Sequence, residues 1–291
     1  METENKNTTN EFEEYQGYVK WTPTTEELAN YYMDKKTCPI KLKENEYLIV
    51  IDENDGRDIE IVKMQNGELV KINHASFKSK SENGKVKAIT PRNPEQKCAF
   101  DMLVDDRTTV KLITGSWGCG KTMALVTAGL QALQEKKFDR IVWIRNNVDV
   151  KDTKDLGALP GDVYEKLMPF LGPFVDHCGG ELAVKKLIDE HKLVVEPLQF
   201  LRGRNLENTL IMCSESENLT KEHLQLILAR CAEGSNLWLD GDTRQRDKAS
   251  FEKSKGIECM IESLKGNELF GYVNLTKVER SETASLADKI K

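Results

Sequence analysis

Gly115-Ser116-Trp117-Gly118-Cys119-Gly120-Lys121-Thr122 decides the reading of this 291-residue chain. It lies between a β-branched apolar run, Val110 to Thr114, and a helix-forming run, Met123 to Leu133. The first run has the composition of a buried strand, and Gly115 lets the chain turn sharply at its end. Gly118 and Gly120 allow the backbone from Ser116 and Trp117 through Cys119 to close around an anion, with N–H groups pointing inward. Lys121 adds a mobile positive charge for outer phosphates, and the Thr122 hydroxyl can ligate a magnesium ion. The helix that follows aims its N-terminus at the same anion. The spacing G-x4-G-K-T between strand and helix is a full phosphate-binding loop, and it predicts a nucleotide site.

The rest of the composition sets bounds. There are 42 basic and 48 acidic residues, for a formal net charge of −6. No global basic field announces nucleic acid, so any such contact must be local. Seven cysteines without C-x-x-C pairs read as free thiols in a reducing compartment. No signal pattern and no membrane-length apolar run is present, so the expectation is a cytoplasmic protein with no membrane partner.

Residues 1–14 are polar and acidic and read as a disordered tail. Residues 15–89 read as a small β-rich module of meander or barrel type. Its strands are Tyr47 to Asp52, Asp58 to Met64 and Glu68 to Asn73, separated by the turn signals Asn54-Asp55-Gly56 and Asn66-Gly67. A short helix from Thr24 to Met33 is opened by Thr24-Thr25-Glu26-Glu27. Lys78, Lys80, Lys85, Lys87 and Arg92 follow. They read either as a local nucleic-acid or phosphate contact or as a solvated linker, and the linker is preferred because only Phe77 supplies an aromatic.

From residue 90 to 291 helix and strand alternate, which predicts a parallel sheet with helices on its faces. Pro94 to Leu103 is a helix capped by Asn93, and a helix runs from the loop to Gln134. A strand, Arg140 to Arg145, leads to a loop ending at Leu159-Pro160-Gly161-Asp162. A helix is expected from about Val163 to Val175, interrupted near Pro169 and Pro173. Helix 181–190 and strand Leu193 to Phe200 come next. The strand Thr209 to Cys213 ends in Ser214-Glu215-Ser216-Glu217-Asn218, where carboxylates serve magnesium and an attacking water. A helix from Thr220 to Cys231 precedes the strand Asn236 to Leu239, which ends in Asp240-Gly241-Asp242. Helix 256–264, strand Tyr272 to Leu275 and a helix from Ser281 close the pattern. His74, His177, His191 and His223 show no metal or triad spacing and are assigned no chemistry.

Several of these pieces share an order. Pro91-Arg92-Asn93-Pro94-Glu95-Gln96, the phosphate loop, Leu156-Gly157-Ala158-Leu159-Pro160-Gly161-Asp162, Arg202-Gly203-Arg204, Gly241-Asp242-x-x-Gln245-x-Asp247 and Glu279-Arg280-Ser281 resemble the PhoH family of phosphate-starvation-type ATPases. The resemblance runs from about residue 89 to the end. The module before it looks like the segment that joins the halves of longer PhoH proteins, which begin with a PIN nuclease domain not expected here.

The resemblance implies a RecA-like P-loop NTPase fold, with ATP and Mg2+ bound and ATP hydrolysed. It also implies ring-shaped homo-oligomers such as a hexamer. Through kinship with superfamily-one helicases it implies single-stranded RNA as a partner. Position by position, Gln96 with Asn93 matches the reader of adenine, and Lys121 and Thr122 match the holders of phosphate and magnesium. Glu215 matches the carboxylate that polarises the attacking water, and Asp242 with Gln245 matches the sensor of the γ-phosphate. Arg204, Arg230 and Arg280 stand where the family keeps arginines, any of which could reach a phosphate within the subunit or across a ring interface.

The chain departs from that pattern in two places. The family ends the strand that here runs from Thr209 to Cys213 with Asp-Glu-Ala-Gln-Asn, so its magnesium aspartate is replaced here by the neutral Ser214. The Ser214 hydroxyl can supply a ligand dipole to the metal but no counter-charge, and two features could compensate. Glu217 replaces the family's glutamine, so the loop keeps two carboxylates. Asp240 stands where the family has threonine, on a strand expected beside Ser214, from which it could carry the missing charge to the metal. A rival reading follows from Ser214: a nucleotide-binding switch or scaffold that hydrolyses ATP weakly. The second departure is Asn146 in place of the family's proline after Arg145.

Overall fold

The computed structural model of the chain describes residues 15–73, 75–145, 168–243 and 255–279. The tail, Leu156 to Asp162, the first residues of the helix expected from Val163, Asn146, Gln245, Arg280 and the last helix lie outside the described residues.

The first strand, β1 (Tyr18–Trp21), was not anticipated from sequence. Helix α1 (Thr25–Met33) begins at a capping box: Thr24 Oγ1 accepts from Glu27 N–H at 3.3 Å and Glu27 Oε2 accepts from Thr24 N–H at 2.8 Å. β2 (Tyr47–Ile51), β3 (Asp58–Gln65) and β4 (Glu68–Lys71) form the expected antiparallel meander, and β1 pairs parallel to β2.

The lysine-rich stretch is not a linker. β5 (Phe77–Lys80) and β6 (Val86–Ile89) form an antiparallel hairpin in which Phe77 and Ser79 are buried while Lys78 and Lys80 are exposed. The period of two turns the lysines outward and seats Phe77 4.6 Å from the ring of Phe100. The lysines hid this period, because Lys78, Lys80 and Lys87 occupy three of the eight strand positions.

The larger unit begins with α2 (Pro94–Val104), capped as predicted: Asn93 Oδ1 accepts from Gln96 N–H at 2.9 Å. Then come β7 (Val110–Gly115), α3 (Lys121–Gln134) and β8 (Arg140–Arg145). Of the helix expected to Val175, the described part is a 3-10 turn at Met168–Phe170 followed by helix α4 (Gly172–Cys178), broken where the prolines Pro169 and Pro173 predict an interruption. Pro173 lacks an N–H and is tolerated only in that first turn. α5 (Glu181–Asp189) leads to β9 (Leu193–Glu196), which stops short because Pro197 cannot donate to the ladder. β10 (Thr209–Ser214), α6 (Lys221–Leu228), β11 (Asn236–Gly241), α7 (Gly256–Leu264) and β12 (Phe270–Leu275) complete it.

The six strands form one parallel sheet in the order β12-β7-β11-β10-β8-β9. Successive residues feed opposite faces. Ile113, Trp143, Met212 and Trp238 pack with α2, α3 and α4, while Leu112, Val142, Ile211 and Leu237 pack with α6 and α7. This is a RecA-like P-loop fold, with β11 inserted between the loop-bearing strand β7 and β10. That order puts the C-terminal ends of β7, β11 and β10 side by side, where parallel α/β sheets bind ligands.

Candidate functional site

The phosphate loop leaves β7 at Gly115, whose φ of 145° and whose approach to the Leu275 carbonyl exclude any side chain: a Cβ would lie 2.3 Å from that oxygen. Gly120, with φ 91°, caps α3. The loop's carbonyls are occupied by neighbours. Ser116 O accepts from Cys119 Sγ at 2.9 Å, Gly118 O from Glu279 N–H at 3.3 Å, and Cys119 O from Gln96 Nε2 at 2.9 Å. Lys121 folds back on the loop, its Nζ 2.6 Å from Gly115 O and 2.9 Å from Ser116 O.

Beside the loop opens a cleft of about 720 Å³. Lys121, Thr122, Ser214, Glu215, Asp240 and Asp242 all line it, so one concavity gathers residues predicted from three separate strand ends. Glu217 also lines it. Trp117 is 44% exposed at its edge.

The strand register explains the central contact. Leu239 pairs with Cys213, so Asp240 and Ser214 emerge at the same level from adjacent parallel strands. Ser214 Oγ donates to Asp240 Oδ1 at 2.9 Å, and Glu215 N–H donates to the same oxygen at 3.2 Å. Asp240 is 2% exposed, and its Oδ2 is buried without a hydrogen-bond partner. The Thr122 hydroxyl approaches this carboxylate without closing a hydrogen bond. Burial pushes the Asp240 carboxyl above its usual range, opposed by the hydroxyls of Thr122 and Ser214 and by the charge of Lys121.

Glu215 sits at φ 56° in the left-handed region, a conformation a non-glycine residue adopts only when its surroundings impose it. Burial, reinforced by the charges of Asp240 and Glu215, pushes Glu217 up to about 7, while its bond from Asp242 N–H at 3.0 Å works the other way. Five carboxylates, those of Asp176, Glu215, Glu217, Asp240 and Asp242, therefore share the cleft with one lysine. Among the described residues no three His, Cys, Asp or Glu side chains converge as a self-sufficient metal cage. A magnesium ion held by one carboxylate, one hydroxyl and substrate phosphates needs no such cage. The orphaned Asp240 Oδ2 next to Thr122 fits that ion.

Other expected residues are placed differently. Gln96 lines a smaller cavity that adjoins the cleft at Gly118, Gly120 and Met123, with Oε1 accepting from Arg92 N–H at 2.8 Å and Nε2 donating to Cys119 O. Asn93 is spent on its cap and on Glu279, its Nδ2 lying 2.9 Å from Oε1. Arg204 pairs with Glu196, and Arg230 Nη1 donates to Arg204 O at 3.2 Å. Neither arginine lines the cleft.

The far wall, by contrast, holds residues that sequence reasoning missed: Trp143, Asp176 and His177. His177 Nδ1 is 3.0 Å from Ser79 Oγ of the hairpin, and burial pushes its pKa down against the charge of Asp176. No spacing marks these residues, because α4 reaches the loop only through the fold.

The family model described as PhoH-like protein matches residues 88–290. Protein PhoH2 of Mycolicibacterium smegmatis is 34% identical over 203 residues, covering 68% of this chain and 46% of that protein. Protein PhoH2 of Bacillus subtilis is 33% identical over 208 residues, covering 68% and 47%. The chain thus spans about half the length of these relatives. Among solved structures, the crystal structure of T4 UvsW aligns with a TM-score of 0.36 and 13% identity over 70% of this chain and 37% of that one.

Proposed function

This chain belongs to the PhoH family, and from that premise we propose that it binds ATP with magnesium and hydrolyses it by attack of water on the γ-phosphate. One observation carries the reading: the loop lysine and threonine share a single cleft with Glu215, Asp242 and a buried, half-unpaired Asp240.

In this reading the loop from Gly115 to Thr122 wraps the phosphates, and Lys121 exchanges two loop carbonyls for phosphate oxygens. Thr122 and Asp240 hold the magnesium, with Ser214 orienting Asp240 through its hydrogen bond. Held there, the ion would supply positive charge against the negative charge of the phosphates. Glu215, held at the cleft by its strained backbone, orients the water and takes its proton. Asp242, with Gln245, senses the γ-phosphate. Arg280 remains a candidate for contact with phosphate, and Arg204 and Arg230 serve only across an interface between subunits, since neither faces the cleft of its own chain. Ring assembly and single-stranded RNA as a partner extend the reading and rest on family membership.

The test is phosphate release by the purified protein with ATP and magnesium, beside Lys121→Ala and Glu215→Gln. Release at least tenfold above both variants is expected. Release no greater than that of Lys121→Ala defeats hydrolysis. If nucleotide still binds, it favours the second reading, a nucleotide-binding switch, for which the neutral Ser214 is the supporting observation. Salt-dependent binding of single-stranded RNA with and without ATP tests the partner, and no binding at low salt removes it.

A further inference from the structure

The β5–β6 hairpin pairs Ser79 with Lys87 and Lys78 with Ala88. Residues directly opposite across an antiparallel pair project from the same side of it. Ser79 is buried with its Oγ 3.0 Å from His177 Nδ1, and Phe77, two residues before it, is buried against Phe100. Lys87 therefore stands on the inner side of the hairpin and Lys78 on the outer. Packing against α2 and α4 fixes the hairpin in that orientation.

The inner side meets the phosphate loop. A cavity of about 280 Å³ shares Gly118, Gly120 and Met123 with the cleft, and Lys87 lines it beside Thr90 and Arg92. Lys78, Lys80 and Lys85, which read like Lys87 in sequence, line neither the cleft nor this cavity.

The two concavities differ in charge. Five carboxylates and one lysine line the cleft. The cavity has two cations, Lys87 and Arg92, and one carboxylate, Glu279, which is already engaged: its Oε1 accepts from Asn93 Nδ2 at 2.9 Å and lies 3.7 Å from Lys277 Nζ. Among the described residues the Lys87 ammonium has no side-chain partner. With metal and outer phosphates in the carboxylate-lined cleft, the sugar end of a nucleotide leaves the loop on the flank of Gly118 and Gly120 that opens to the cavity. There the loop amides and Lys121 are spent on phosphate, and the sugar hydroxyls need partners of their own. An ammonium on a flexible stem offers three donors to those oxygens.

We infer that Lys87 is a nucleotide-binding residue contributed by the N-terminal module, donating to the ribose hydroxyls, so that the hairpin completes the site. This rests on the nucleotide-site reading above.

Two measurements on the full chain test it. The first uses ATP whose ribose has been opened to the 2′,3′-dialdehyde, which condenses with a nearby lysine amine and is fixed by borohydride for peptide mapping. Lys87 is expected to be modified and to be protected by excess ATP, while Lys78 is not modified selectively. Modification of Lys87 and Lys78 to the same extent, unprotected by ATP, overturns the inference, as does protected modification that leaves Lys87 free. The second is displacement of a fluorescent ATP analogue by ATP and by inorganic triphosphate, from the parent, Lys87→Ala, Lys78→Ala and Lys121→Ala. Lys87→Ala is expected to weaken ATP by about fivefold and triphosphate, which has no ribose, by less than about twofold, with Lys78→Ala like the parent. Equal losses for ATP and triphosphate, or no loss of ATP, overturn the inference. If ATP competes no better on the parent than on Lys121→Ala, the nucleotide-site reading itself falls, whereas ATP binding that depends on Lys121 and ignores Lys87 overturns only this inference.

Discussion

At the scale of the residue, Asp240 does the most. It gathers two donors on Oδ1, keeps Oδ2 unpaired, and is buried where a charge is tolerated only beside a counter-charge. Two substitutions separate its role from ordinary packing. Asp240→Ala should weaken Mn2+ binding, followed by electron paramagnetic resonance in the presence of a non-hydrolysable nucleotide, by at least about tenfold. Moving the charge back, in Ser214→Asp/Asp240→Thr, should restore most of that affinity. Ser214→Asp alone sets two carboxylates within hydrogen-bond range of each other and should destabilise the fold. If the double variant binds Mn2+ no better than Asp240→Ala, the charge-relocation idea is wrong. Lys111 makes a second residue-scale prediction. It is 1% exposed, donates to Leu103 O and Asp105 O at 2.9 and 2.8 Å, and burial pushes its pKa down to about 7, against nearby Asp105 and Asp106. The unfolded chain, whose lysine titrates near 10.5, then binds more protons between pH 7 and 10, so stability contributed by this residue rises with pH across that window. Urea unfolding at pH 7, 8.5 and 10 should show the parent gaining on Lys111→Met, by about 1.4 kcal/mol per pH unit at most.

At the scale of the element, α2 is the joint between the loop, the sheet and the N-terminal module. Gln96 braces the loop, while the neighbouring Glu95 receives Thr276 N–H at 2.7 Å, Thr276 Oγ1 at 2.7 Å, Lys277 N–H at 3.2 Å and Lys20 Nζ at 2.9 Å. Burial alone would raise the Glu95 pKa, but these donors outweigh it and hold the carboxyl below its ordinary value. Glu95→Ala leaves backbone donors at the exit of β12 without partners and should cost about 2 kcal/mol or more in urea unfolding. Lys20 is 46% exposed, so Lys20→Ala should cost under about 1 kcal/mol. Equal costs for the two would mean that the carboxylate serves mainly the lysine. The β5–β6 hairpin is the other element of note, since it brings Ser79 to His177 and Ala88 and Ile89 to the cavity that adjoins the cleft at Gly118 and Gly120. Residues expected to be a linker therefore form walls of the site.

At the scale of the whole molecule, the β-rich module is joined to the unit that carries the phosphate loop by buried and partly buried polar bonds. Asn45 Nδ2 donates to Asn267 O, Glu268 O and Phe270 O at 3.1, 3.0 and 3.1 Å. Lys63 Nζ lies 2.7 Å from Asp101 and 2.8 Å from Asp105, and Tyr47 Oη donates to Asp101 at 2.8 Å. Breaking such contacts leaves charges buried and unpaired. The two parts should therefore unfold together. Trp21 in the module and Trp143 and Trp238 in the sheet allow the check: single-tryptophan variants should report coincident denaturant transitions, and midpoints that differ beyond error would show separate units.

Much of this protein was legible in its sequence because the signals are local. The phosphate loop needs only its glycines, lysine and threonine in order. The Asn93 cap and the Thr24 capping box need only a side chain and an N–H three residues on, and the alternation of helix and strand follows from periods of 3.6 and 2. Even the pairing of Ser214 with Asp240 was within reach, since both residues end apolar strands expected to be neighbours. Contacts between distant segments were not legible. Nothing in Gln96 tells whether its amide faces a base or the Cys119 carbonyl, and nothing in the lysines of the hairpin announces Phe77 against Phe100. His177 carries no spacing signal for the cleft, and Arg204 none for its pairing with Glu196. The sequence by itself determined that a phosphate loop stands between strand and helix and on which strand ends the carboxylates stand. The tertiary structure decided which side chains face that loop, because a side chain's direction depends on partners that only the packing of remote elements brings within hydrogen-bond reach.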